Sequence, residues 1–209
     1  NTLGSQLNGA STWAEFGYSV SLSSDGNILA VGAPRENSYK GYVKIYKYDG
    51  SSWNTIGSQI DGSTSYSEFG YSVSLSSDGT ILSVGAPRHN NSNTGYVKTY
   101  QYNGTSWNTL GSQIDGSSNS GFGRSVSLSS DGTILAIGAP LHNNTSLGYV
   151  KIYKYDGSSW NIMSVDSSIR TTAFNSEDAI EGSSLSEFGS SVSLSGNGNI
   201  LSVGANYGH

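Results

Sequence analysis

The chain has 209 residues and a formal net charge of −5, with only 12% of residues charged. Its 14 tyrosines and 4 tryptophans set it apart from a disordered Gly/Ser linker, which would be poor in aromatics. It has no Lys/Arg cluster and no apolar run of about 18 residues, which argues against nucleic acid, an anionic membrane surface or a spanning helix. Cysteine is absent, so disulfides and thiolate metal sites are excluded. The opening NTLGSQLNG already belongs to the repeat described next, and no signal peptide is visible in it.

In chain order, the first run alternates Phe16, Tyr18, Val20 and Leu22 with glycine and serine, the period of a strand with one bulky and one small face. Asp25-Gly26 follows as a turn signal. Residues 28–33, ILAVGA, are apolar throughout, as in a strand covered on both sides, and Pro34 stops them. Residues 41–48, GYVKIYKY, read as an outer, partly wet strand that leads into Asp49-Gly50. A fourth run, 53–60, ends at Asp61-Gly62.

These elements then recur. Phe16, Phe69, Phe122 and Phe188 are spaced by 53, 53 and 66 residues, and Trp53, Trp107 and Trp160 by 54 and 53. The repeat units are 1–53, 54–107, 108–160 and 161–209, with a divergent insert at about 163–184. Four antiparallel strands per unit of about 53 residues predict an all-β fold, a β-propeller with three full blades and partial first and last ones. A β-solenoid is the alternative, although solenoid repeats are usually shorter.

The pairs Phe16-Gly17, Phe69-Gly70, Phe122-Gly123 and Phe188-Gly189, each followed by Gly-Ala-Pro (Gly-Ala-Asn in the last unit), resemble the FG-GAP repeat of integrin α subunits and secreted repeat proteins. The resemblance implies a seven-bladed type of propeller, extracellular use, and adhesion or recognition in place of catalysis. Calcium-binding members of that family carry longer, acidic loops. Here Ser-Ser-Asp-Gly at 23–26, 76–79 and 129–132 offers one carboxylate per turn, and 195–198 offers none. Calcium needs six to eight oxygen ligands, so these segments are expected to be structural hairpin turns, with no cofactor.

His89 and His142 occupy equivalent loops and read as polar loop residues before a shared metal site. Glu15, Glu68 and Glu187 precede the Phe-Gly pair, with Gly121 in the third unit, and are expected to face solvent. No nucleophile elbow, phosphate loop or zinc-protease helix appears, so no enzyme is expected. Asn90, Asn103, Asn143 and Asn144 match the N-glycosylation acceptor pattern. The span from Trp160 to Phe188 is 12 residues longer than that from Trp53 to Phe69, and its Arg170, Glu177, Asp178 and Glu181 make it a candidate contact surface or a divergent blade edge.

The leading expectation is a non-enzymatic extracellular structural or adhesive module. A carbohydrate-binding propeller is the alternative, distinguished by whether the repeated aromatics are exposed. An incomplete last blade would be finished by further repeats of the same chain or by a neighbouring subunit, head to tail.

Overall fold

The structure, a computed structural model, describes residues 3–88, 93–141, 147–163, 179–182 and 186–206. It is all-β and built by repetition. In the first unit, β1 (Ser19–Leu22), β2 (Ile28–Ala33) and β3 (Tyr42–Tyr48) are antiparallel neighbours. The outer edge of β3 is covered by β4 (Trp53–Thr55) and then β5 (Ile60–Asp61), both antiparallel to it. The expected fourth strand is therefore broken in two at Gly57, whose φ of +69° places it in the left-handed region. With β4 and β5 outermost, β3 is an inner strand whose Tyr42, Val43, Ile45 and Tyr46 are buried, contrary to the expectation of a wet edge.

The second unit repeats this with β6 (Ser72–Leu75), β7 (Ile81–Ala86), β8 (Tyr96–Tyr102), β9 (Trp107–Thr109) and β10 (Ile114–Asp115). The third has β11 (Ser125–Leu128), β12 (Ile134–Ala139), β13 (Tyr149–Tyr155), β14 (Trp160–Ile162) and β15 (Ile180–Glu181). A final hairpin pairs β16 (Ser191–Leu194) with β17 (Leu201–Gly204). Among the described residues no sheet closes on itself. The first strands lie side by side across units, β1 against β6, β6 against β11 and β11 against β16.

Four residues separate β4 from β5, and seventeen separate β14 from β15. Even so, Glu181 pairs with Tyr149 just as Asp61 pairs with Tyr42.

The Phe-Gly pairs have a packing role. Phe69 and Phe122 are fully buried, and Phe69 lies 6.3 Å from the Tyr96 ring and 6.4 Å from that of Tyr100. Burial of such a ring stabilises by about 1.5–3 kcal/mol. Each Phe is followed by a glycine at positive φ, +88° at Gly70, so the chain turns immediately into the next first strand. That turn shortens the expected first run, and β1 begins at Ser19. Two main clusters form the core, one around Val43, Phe69, Leu82 and Tyr96, the other around Val97, Phe122, Leu135 and Tyr149. Each takes residues from two consecutive units, so the hydrophobic core lies between the sheets.

Candidate functional site

The repeated polar side chains fall in three places: the turns, the face between units, and the rim where the Glu and Arg residues gather.

The Asp-Gly turns use their carboxylates internally. Asp25 Oδ1 accepts from Ser23 Oγ at 2.6 Å and from Asn27 N at 3.0 Å, and Asp78 and Asp131 repeat the pattern. The hydrogen bond from Ser23, followed by that from the Asn27 amide, lowers the Asp25 pKa to about 2. In the last unit Asn197 Oδ1 takes the same two bonds, from Ser195 Oγ and Asn199 N, without any charge. Only the glycine of each pair has positive φ, so these hairpin turns end in a left-handed glycine and are longer than two-residue primed turns. The second turn of the unit works likewise. Asp49 Oδ1 accepts from the Ser51 and Ser52 amides at 2.8 Å, and Asn103 Oδ1 does so from Thr105 and Ser106. Asn103 is exposed at its hairpin tip. Asn90, Asn143, Asn144, His89, His142, Arg170, Glu177 and Asp178 lie outside the described residues.

The face between units is held by serine and glycine. Ser19 Oγ donates to the Gly70 carbonyl at 2.7 Å, Ser72 to Gly123 at 2.7 Å and Ser125 to Gly189 at 2.8 Å. In the reverse direction the amides of Leu75, Leu128 and Leu194 donate to Ser21, Ser74 and Ser127 at 3.0, 3.0 and 2.9 Å. A third line of bonds, each 2.8 Å, runs from Ser24 N to Ser77 O, from Ser77 N to Ser130 O and from Ser130 N to Gly196 O. Apolar contacts follow the same register. Ile28, Ile81 and Ile134 seat against the turn glycines Gly79, Gly132 and Gly198 of the next unit.

At the two ends of the array this interface is presented in halves. Val20 and Leu22 are 62% and 55% exposed, whereas their counterparts Val73, Leu75, Val126 and Leu128 are buried. Gly26 has open space where its counterparts meet an isoleucine, and Ile200, the counterpart of those isoleucines, is 70% exposed.

The repeated tryptophans are engaged in packing. Trp53, Trp107 and Trp160 donate to the carbonyls of Leu3, Ile56 and Leu110, and each packs on a tyrosine of its own hairpin with centroids 5.1–5.3 Å apart. Exposed rings occur elsewhere, at Trp13, Tyr39 and Tyr66.

At the rim, Glu15 pairs with Arg35 and Glu68 with Arg88. Glu68 is buried, which corrects the solvent-facing expectation for it, while Glu15 and Glu187 are half-buried. Burial raises the Glu68 pKa even though Arg88, Arg35 and Arg124 oppose the rise. The Gly-Ala-Pro-Arg loop folds over the Phe-Gly turn, bringing the two residues together (Arg88 N donates to Ser67 O at 3.3 Å). In the third unit Gly121 and Leu141 stand in these two places, and Arg124 replaces the Tyr18 and Tyr71 of earlier units. Arg124 lies over the Tyr71 ring at 5.3 Å, and Tyr71 packs on Tyr18 at 4.7 Å. Between the second and third units a cleft of about 340 Å³ is lined by Pro87, Arg88, Asn93, Gly121, Arg124 and Leu141. Aligned by unit, Arg124 stands where the first two units have Tyr18 and Tyr71 and the last has Ser190, and no local motif marks it.

No family model matches the chain, and no curated protein does. Among solved structures, a functionally unknown protein from Desulfotomaculum acetoxidans DSM 771 is similar at a TM-score of 0.57 and 12% identity. The likeness covers 88% of this chain and 47% of that one, so the chain spans about half its length. The similarity is one of fold.

Proposed function

We propose that the chain is a non-enzymatic module of an extracellular β-propeller of the FG-GAP type, its sheets serving as blades and its role being structural or adhesive contact between proteins. The observation that carries this reading is the complementarity of the two outer faces. The serine, leucine-amide and isoleucine contacts that join one unit to the next have one half at each end of the array. Ile200 matches the open space at Gly26, and Ser191 and Ser193 match the Gly17 carbonyl and Leu22 amide. Such a heterologous interface accepts a further unit of the same type, with Val20 and Leu22 as the apolar centre. The reading assigns no catalytic residue, metal or cofactor.

The test is sedimentation of the 209-residue chain over a range of concentrations. Self-association is expected, and it is lost in Leu22→Asp and in Ile200→Asp, both exposed positions where folding survives. A mixture of the two variants should give a dimer and nothing larger, because each retains one working face. A monomer at all concentrations, or association unchanged by both substitutions, refutes the interface.

A carbohydrate-binding propeller ranks second. It needs exposed aromatic platforms, and the repeated tryptophans are already occupied by their own hairpins.

A further inference from the structure

We propose that the cleft between the second and third units binds the carboxylate of a small ligand. The inference comes from comparing one place in successive units and does not depend on how the sheets assemble. In the first two units that place is filled from within, by Glu15 against Arg35 and Glu68 against Arg88. In the third, both members of the pair are replaced, the acid by Gly121 and the arginine by Leu141. Deletion of the whole pair would by itself leave a neutral notch. Instead Arg124 introduces a cation where the carboxylate has been removed.

The charges around the cleft then favour an anion. Arg88 and Arg124 both line it. The carboxylate facing them is Glu68, which is buried and reaches Arg88 through Nε at 3.4 Å. The Arg88 side chain is 63% exposed, and its terminal nitrogens have no other ion pair among the described residues. Arg124 is positioned by the Tyr71 ring, and Asn93 adds an amide. Two guanidinium groups against one carboxylate leave an excess positive charge, and the planar fork of arginine suits a carboxylate in two-point contact. The volume, about 340 Å³, is at the small end of ligand pockets and suits one ring or a short acid.

The backbone retains the arrangement that presents a carboxylate here. Gly121 has φ +62°, beside +52°, +55° and +45° at Glu15, Glu68 and Glu187. A Cβ at position 121 would meet Leu141 Cδ1 at 3.4 Å, an ordinary contact. Gly121→Glu therefore restores the internal acid on a backbone conformation that Glu15, Glu68 and Glu187 already adopt, at the modest cost of left-handed strain, and Arg124→Tyr restores the residue of the first two units.

The experiment is a titration followed by amide chemical shifts, with sodium glucuronate, sodium glutarate and neutral glucose as probes. Saturable shifts at Gly121 and Arg124 are expected with one or both acids and not with glucose. Glucuronate alone would assign the site to acidic sugars and glutarate alone to aliphatic acids. Gly121→Glu should abolish the response, and Arg124→Tyr should weaken it about tenfold or more. Absence of shifts with both acids, an equal response to glucose, or binding unchanged in both folded variants overturns the proposal.

Discussion

A single residue type accounts for much of the local order. At the turns of Asp25, Asp78 and Asp131 the carboxylate holds the backbone amide two residues on, and where the chain has Asn197 the geometry is unchanged. The charge contributes pH dependence, and the turn itself does not require it. The pKa values of Asp25 and Asp49 are lowered to about 2 in the folded chain, Asp49 first by the Ser52 and Ser51 amides. A folded pKa below the unfolded value of about 3.9 means a stability contribution present above about pH 4 and lost as the pH falls toward 2. Thermal melts should therefore drop across that window. An Asp25→Asn, Asp49→Asn double variant should melt with a shallower pH dependence there and little change at pH 7, where Asn197 and Asn103 already show the neutral version. An identical slope in variant and parent would show that these turns do not carry the acid sensitivity.

At the level of the element, the decisive contacts run between sheets. The ends of the second strands carry Gly32, Gly85 and Gly138, and a Cβ on any of them would collide with the carbonyl oxygen of Gly70, Gly123 or Gly189 in the next unit. Gly85→Ala thus forces a buried interface apart, at a cost of about 1–3 kcal/mol, and lowers the denaturation midpoint accordingly. Gly204→Ala, at the same place in the last hairpin but facing only Ser191 and no carbonyl of a next unit, provides the comparison in dilute, unassociated protein, and similar losses for both would contradict the packing argument. Much of this was legible in the sequence. Alternation of serine with Val and Leu marks one small face, and the Phe-Gly spacing marks the unit. What could not be read was the partner of each serine, because a hydroxyl bonding a carbonyl 51 residues away leaves no local pattern. The buried state of Glu68 was hidden for a related reason. Its cover is the loop carrying Arg88, which the sequence places 20 residues downstream. The cleft was concealed further, since it arises from a difference between units, and only the glycine half of that difference interrupts the motif.

Among the described residues the main contacts between sheets run from each unit to the next, so the stability of the array is approximately a sum of unit and interface contributions. The seventeen residues between β14 and β15 replace a link of four, yet β15 returns to the same register on β13. In chain-entropy terms, roughly two doublings of a tether cost only about 1.2 kcal/mol, because closure grows with the logarithm of length. The start of the link takes part in the contacts between units, since the Ile56 and Leu110 carbonyls accept from the next unit's tryptophan, so added length belongs after those residues. A 13-residue Gly/Ser segment placed between Ser58 and Gln59 should be accepted, with about 1 kcal/mol lost and self-association retained; loss of cooperative unfolding would show that the first link is not a neutral graft point. The link between the last two strands of a sheet is thus a place where length has grown while the register on the inner strand is kept, so that new surface enters there at little cost to the pairing.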